Sequence, residues 1–125
     1  MSVGSGQVEE QLTRVLGAWA VGSVALGAVL SVPTRTRGFG RQTVAWGAID
    51  GAIAYAGVRG RARKGPTDPA RLRRVLLLNA GLDLGYLAVG TRLVRGTRWR
   101  GDGLAVLVQG AFLLVLDTTA ARRLR

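Results

Sequence analysis

Three aspartates lie inside apolar stretches of this sequence, at Asp50, Asp83 and Asp117. Ionisable side chains are costly in apolar surroundings, so their presence there is a first indication of a functional site. Carboxyl groups that lie close together in a low dielectric are expected to share a proton, which is the chemistry of a proton or cation path. Tyr55 is a possible hydrogen-bond donor to these acids. We predict a polar cluster inside a helical bundle, made of Asp50, Asn79, Asp83, Tyr86, Gln109 and Asp117.

The same residues also have a purely structural interpretation. A hydrogen-bonded aspartate can hold two helices together, and Asp117 could pair with Arg14 or Arg122 near the end of a bundle. The sequence therefore favours a non-enzymatic structural or assembly component. The alternative is a transporter or channel for protons, a small cation or a small solute. Such a transporter is expected to be a homo-oligomer, because four helices enclose little space.

Glycine is unusually frequent, at 19 of the 125 residues. In a soluble helix each interior glycine costs roughly 1 kcal/mol relative to alanine, whereas in membrane helices glycine allows two backbones to approach closely. Two of the aspartates lie within a small-xxx-small motif. We predict helix packing at the four glycines of these motifs, Gly47, Gly51, Gly81 and Gly85.

The composition excludes most kinds of catalytic site, because the chain has no histidine and no cysteine. Disulfides, thiolate chemistry, Cys-ligated zinc and iron–sulfur clusters require cysteine. The usual haem ligand and the usual proton shuttle at neutral pH require histidine. We expect no enzymatic activity, no cofactor and no metal site.

The net charge of +11 raises the possibility of nucleic-acid binding. The arginines, however, fall at the ends of the apolar segments, without a basic helix face or an aromatic platform. That placement favours anionic lipid headgroups over nucleic acid as the partner.

Four apolar segments predict one all-α domain over residues 1–125, with helices at about 12–33, 42–58, 71–94 and 103–121. Residues 15–34 form an uncharged run of twenty, long enough to cross a hydrocarbon core about 30 Å thick. A cleaved signal peptide would have a basic front end and a shorter core, unlike this run. A soluble bundle would confine its apolar residues to one face of each helix. We therefore predict a polytopic bundle of four transmembrane helices.

A charged connection at 59–69 separates the second and third segments, and Asp68 and Pro69 resemble an N-cap and a first-turn proline.

The distribution of the cations indicates the orientation of the chain in the membrane. Eleven fall on the side of the termini, at Arg14, Arg59, Arg61, Arg63, Lys64, Arg71, Arg73, Arg74, Arg122, Arg123 and Arg125. Seven fall on the other side, at Arg35, Arg37, Arg41, Arg92, Arg95, Arg98 and Arg100. This distribution predicts a multi-pass protein of the bacterial cytoplasmic membrane with both termini in the cytoplasm, with inverted or dual topology as the alternative.

An internal duplication is indicated by a shift of 63 positions. Residues 22–48 and 85–111 then share eleven identities in 27, including Thr-Arg-x-Arg-Gly at 34–38 and 97–101. Coincidence among the abundant Gly, Arg and Ala is the alternative explanation. If the repeat is genuine, the halves at about 8–60 and 71–123 are two tandem hairpins in parallel orientation, because two helices return the chain to its starting side.

Two segments, 79–86 and 109–117, carry the patterns Asn-Ala-Gly-Leu-Asp-Leu-Gly-Tyr and Gln-Gly-Ala-Phe-Leu-Leu-Val-Leu-Asp. Together with Trp-Ala-Val-Gly at 19–22, they resemble a family of uncharacterised bacterial multi-pass membrane proteins, a domain of unknown function. The resemblance implies four transmembrane helices and adds weight to the polar residues in these segments. It implies no reaction. The arginine-rich connections differ from that family.

Overall fold

The chain forms four α-helices in the computed structural model, which describes residues 4–96 and 98–124. They are α1 (Ser5–Leu30), α2 (Arg37–Lys64), α3 (Pro69–Arg95) and α4 (Arg100–Arg123), with a short 3-10 helix at Thr34–Thr36. No β-strand occurs within the described residues. The prediction of an all-α chain is therefore confirmed. Thr97 of the repeated pentapeptide and Arg125 of the cation count lie outside the described residues.

The helices pack as two hairpins. Helix α1 packs along α2 and α3 packs along α4, while α2 and α4 form the main contact between the hairpins and α1 touches α4. The connections from α1 to α2 and from α3 to α4 lie at one end of the bundle, which we call the connection end. The termini and the 65–68 connection lie at the other, the terminus end.

Helix boundaries differ from the prediction mainly at two places. Helix α1 begins at Ser5, seven residues before the predicted start, and α2 continues to Lys64 through most of the segment predicted to be a loop. Arg, Ala and Lys are good helix formers, so this charged segment extends α2 instead of breaking it. The helix ends at Gly65, whose φ of 77° is a conformation that favours glycine.

The start of α3 follows the predicted capping pattern. The Asp68 side chain accepts a hydrogen bond of 3.2 Å from the backbone N–H of Arg71, and Pro69 is the first helical residue. This N-cap is confirmed. It satisfies one of the backbone donors that a helix leaves free at its start.

Each hairpin has a very close helix crossing near the connection end. In the first hairpin, a methyl group added to Gly40 would lie 2.5 Å from the backbone nitrogen of Ser31. In the second, a methyl group added to Gly103 would lie 2.6 Å from the backbone nitrogen of Val94. Gly40 and Gly103 are 63 positions apart, and so are Ser31 and Val94. The two hairpins therefore cross at corresponding residues.

Contacts between the hairpins show the same correspondence. Gln109 donates a hydrogen bond of 3.3 Å to the Ser23 hydroxyl, where α4 meets α1. The residues 63 positions away, Trp46 and Tyr86, form an edge-to-face pair at 5.1 Å between α2 and α3. Gly101 packs against the backbone of Gly38, its own equivalent. A residue can contact its own equivalent only beside an approximate two-fold axis.

The interior contains several polar side chains, and many large apolar side chains are exposed. Of the three largest fully buried side chains, Gln109, Val8 and Asp50, two are polar. Exposed large apolar side chains occur on all four helices, among them Val21, Ile53, Leu78 and Val115. A small apolar core lies at the terminus end, formed by Val8, Leu72, Leu76, Ala120, Ala121 and Leu124.

Candidate functional site

The three predicted aspartates come from three different helices and converge in the interior. Asp50 on α2 and Asp83 on α3 are only 1% and 2% exposed, and Asp117 on α4 is 8% exposed. Since α2 meets α4 and α3 meets α4, the inward faces of these helices bring the three carboxyl groups together.

The carboxyl groups are close enough to act on one another. Those of Asp83 and Asp117 lie within hydrogen-bonding reach, and the charge of Asp50 acts on Asp117. One oxygen of Asp50 and one of Asp83, the Oδ2 in each case, is buried without a hydrogen-bond partner. Buried polar atoms are normally satisfied, so two unpartnered oxygens in one cluster indicate a place where something else binds.

A cavity of about 430 Å³ lies against the three acids, and we call it the acidic cavity. Its walls are mainly apolar side chains of α2 and α3, such as Ile49, Ile53, Val75 and Leu82. Towards the terminus end its lining becomes polar, with Glu9, Thr13 and Arg61; the Arg61 guanidinium donates to the Thr13 hydroxyl at 2.8 Å. The site is therefore a largely apolar chamber with acids deep inside and a polar rim.

Two further residues of the predicted cluster line the same cavity. Asn79 and Tyr86 both lie on the α3 face that contributes Asp83. The rings of Tyr86 and Trp46 meet edge to face, and Trp46 also lines the cavity. Five of the six predicted cluster residues therefore share one site.

Gln109 does not join this site, so for this residue the prediction of a single cluster is wrong. Its side-chain oxygen accepts a hydrogen bond of 2.8 Å from the Trp19 indole, and its nitrogen donates to Ser23. It lines a second cavity of about 290 Å³ between α1 and α4. Trp19 in turn stacks flat on Phe112 at 3.9 Å. Gln109 is thus a satisfied structural residue between the hairpins.

Two expected partners of the acids are elsewhere. Tyr55 is 63% exposed, and its hydroxyl accepts a hydrogen bond from Arg59 one turn away. Arg14 forms its ion pair with Glu10 on the helix surface. The neighbour of Asp117 is therefore the carboxyl group of Asp83. The sequence had suggested an arginine, Arg14 or Arg122, in that place.

Of the predicted packing glycines, Gly47 lies at a tight contact. A methyl group there would lie 2.9 Å from the Cβ of Ser23, whereas at Gly51 the nearest atom would be at an ordinary 3.5 Å. At Gly81 and Gly85 the same methyl would meet nothing within 4 Å. These two glycines therefore make no close packing contact within the described chain, and the prediction is wrong for them in this respect.

Trp46 lines the acidic cavity and was not singled out by the search for polar groups. Trp19, which stacks on Phe112, lines the second cavity with Gln109 instead. The internal repeat offered a signal for Trp46, because it is the equivalent of Gln109 under the 63-residue shift.

Within the described residues, no group of three or more acidic side chains is arranged to hold a metal ion. Two helices, Ser5–Leu30 and Arg100–Arg123, are long and apolar enough to cross a membrane.

The fold and the site together define an all-helical protein with buried, partly unpartnered acids beside an apolar cavity. The chain belongs to the family of unknown function DUF6992, whose model matches residues 15–118. That range includes every residue of the acidic cluster, and it confirms the resemblance to an uncharacterised domain family. Comparison with curated proteins and with solved structures gave no match.

Proposed function

We propose that this protein is a four-span membrane protein that binds and carries protons, a small cation or a small solute on Asp50, Asp83 and Asp117. The observation that carries the proposal is the pair of buried carboxylate oxygens without partners, on Asp50 and Asp83, at the wall of a cavity. A group that serves only to join helices has its hydrogen bonds made inside the fold, as Gln109 does. Asp50 and Asp83 differ from Gln109 because each keeps one buried oxygen without a partner, which favours transport over the structural role.

Membrane insertion is supported by the position of the apolar side chains. Val21 and Val29 on α1, and Leu78 on α3, are about two-thirds or more exposed (73%, 67% and 66%). In a soluble protein this apolar exterior would face water. Each Å² of apolar surface exposed to water costs roughly 25 cal/mol of free energy. Lipid removes that cost, while the polar groups stay inside the bundle as intramembrane charges generally do.

Four spans are proposed although only α1 and α4 meet the criterion of length and composition. Helices α2 and α3 carry their cations near their ends and one buried aspartate each, which lowers their average hydropathy without placing a charge on the lipid-facing surface. Each hairpin has one strongly apolar helix, α1 or α4. Its partner helix packs along it for its whole length and would enter the bilayer with it.

The orientation follows the excess of cations at the terminus end. Exposed basic side chains there include Arg59, Arg63, Lys64, Arg71 and Arg74. Such a cluster suits the anionic headgroups of the cytoplasmic leaflet, at about 1 kcal/mol per residue near the surface. We therefore propose the bacterial cytoplasmic membrane, both termini inside, and a non-enzymatic role. The acidic cavity is formed within one chain, so the proposal does not depend on an oligomer.

The test is proton flux in liposomes containing the purified protein, measured with a trapped pH-sensitive dye after an imposed pH gradient. We expect flux in the parent protein and at least a tenfold loss in Asp50→Asn and Asp83→Asn. Asparagine keeps the size of the side chain but removes the site of protonation.

The matched control is Asp68→Asn, which removes one aspartate charge outside the cavity. Asparagine is as good an N-cap as aspartate, so α3 keeps its start. Absence of flux in the parent, or equal flux in the parent and both cavity variants, would leave the structural role of the acids as the better interpretation.

A further inference from the structure

We propose that the acidic cavity binds an amphipathic organic cation, one with a single diffuse positive charge and an apolar body. This inference rests on the proposed function, because it names the class of cation that the acids would hold. It comes from comparing the cavity with the corresponding place on the other side of the bundle.

The two interfaces between the hairpins correspond under the 63-residue shift, but they are filled differently. Where α1 meets α4, Trp19 and Phe112 stack at 3.9 Å and occupy the space. Where α2 meets α3, the equivalent residues are Leu82 and Ile49. Both are smaller, both line the acidic cavity, and both remain at least half exposed (58% and 50%). The larger cavity, of about 430 Å³, therefore lies at the interface that lacks the aromatic pair, and the smaller one, of about 290 Å³, at the interface that has it.

The acids occur at the same interface as the space. The equivalents of Asp50, Asp83 and Asp117 are Leu113, Ala20 and Ala54. Two of these equivalents, Leu113 and Ala54, line the acidic cavity itself, and none of the three lines the second cavity, between α1 and α4. The lining of that second cavity contains no acid, so the three carboxyl groups belong to the larger cavity alone. Smaller side chains alone would explain the volume of the acidic cavity. They would not explain why three carboxyl groups line it.

The chemistry of the chamber selects an organic cation. Its volume of about 430 Å³ is within the range of small-molecule sites, which are mostly apolar with a few polar groups that fix the ligand. The unpartnered oxygens of Asp50 and Asp83 supply the negative charge. The rings of Trp46 and Tyr86 line the chamber and attract diffuse cations through their faces. A small hydrated ion would leave the apolar walls without a contact.

The open side of the chamber suits entry by such a molecule. Ile49 and Leu82 lie at the boundary between the cavity and the apolar exterior of the bundle. An amphipathic cation that partitions into the lipid can reach the acids between α2 and α3 without crossing a polar barrier. Ile49 and Leu82 therefore account for both the volume of the cavity and its opening towards the lipid.

The experiment measures binding of tetraphenylphosphonium to the purified full chain in detergent by isothermal titration calorimetry. Tetraphenylborate, an anion of the same shape, is the control for partition into micelles. The test variant is Ile49→Phe/Leu82→Trp, which reproduces the aromatic pair of the opposite interface and leaves every acid in place. Its matched control is Leu84→Trp, because Leu84 is equally exposed but does not line the cavity.

We expect tetraphenylphosphonium to bind the parent and Leu84→Trp, and affinity to fall at least tenfold in the double variant and in Asp50→Asn/Asp83→Asn. If the double variant does not fold, Leu82→Phe alone is the test variant, and it should lower the affinity for tetraphenylphosphonium by a smaller factor. No binding to a parent that still conducts protons overturns the organic-cation site and leaves the proposed function standing. Equal binding of the two probes, or binding unchanged by filling the cavity, also overturns it.

Discussion

The carboxyl groups of Asp83 on α3 and Asp117 on α4 lie within hydrogen-bonding reach of each other inside the bundle. Two ionised carboxylates have no hydrogen to donate, so a bond between them requires one bound proton. We therefore expect this pair to hold a proton between the two helices. Asp50 lines the same cavity as both of them.

The shared proton leads to a first prediction. Infrared difference spectroscopy of the parent should show the stretching band of a protonated carboxyl group, which Asp83→Asn and Asp117→Asn each remove. An amide can donate to the remaining carboxylate, so neither variant needs the proton. The control is Asp102→Asn: Asp102 accepts a 3.1 Å hydrogen bond from Gln42 outside the cavity. A band that persists in both cavity variants would contradict the shared proton.

The positions of Gln109 and Asp117 show what the sequence could and could not predict. Both are polar residues of α4, and the sequence placed them in one cluster. Eight residues along a helix correspond to a rotation of about 80° from one to the other. Gln109 consequently faces Trp19 and Ser23 on α1, and Asp117 faces Asp83 on α3. Which helices lie on either side of α4 is a property of the packed bundle, so local pattern was insufficient.

Other parts of the fold were predictable for a physical reason. Helix α3 has its N-cap at Asp68 because an aspartate followed by proline is a strong local signal. The acidic cavity was not predictable in this way. It depends on Ile49 and Leu82 being smaller than Phe112 and Trp19, a comparison that requires knowing which residues face each other across the bundle.

The glycine crossings give a second prediction. Gly40→Ala should destabilise the protein by about 1–3 kcal/mol, since the new methyl would meet the backbone of Leu30 and Ser31 at 2.6 and 2.5 Å. Gly85→Ala makes the same chemical change where nothing lies within 4 Å. Thermal unfolding in detergent, followed by circular dichroism, should show a lower midpoint for the first variant alone. Equal midpoints would show that the crossing has room to relax.

A third prediction concerns Gln109 as a structural residue. Gln109→Leu should cost roughly 1–3 kcal/mol of stability, because the part-buried Trp19 indole N–H then lacks its acceptor. Adding Trp19→Phe removes that orphaned donor, so the double variant should lose less than the two single losses added together. Proton flux per folded molecule should stay at the parent level in both. A flux loss comparable to that of Asp83→Asn would assign Gln109 to the transport site instead.

The fourth prediction tests the membrane topology, and the chain is well suited to it because it contains no cysteine. Single cysteines can replace Arg35 at the connection end, Arg63 at the terminus end and Leu84 in the middle of α3, all of which are exposed. In intact cells, a membrane-impermeant maleimide should label Arg35→Cys only. After the cytoplasmic side is opened, Arg63→Cys should react as well. Leu84→Cys should stay unlabelled in both cases, since lipid covers that face and a maleimide needs the thiolate in water. Reaction at Leu84→Cys without detergent would indicate a soluble bundle, and labelling of Arg63→Cys alone in intact cells would invert the topology.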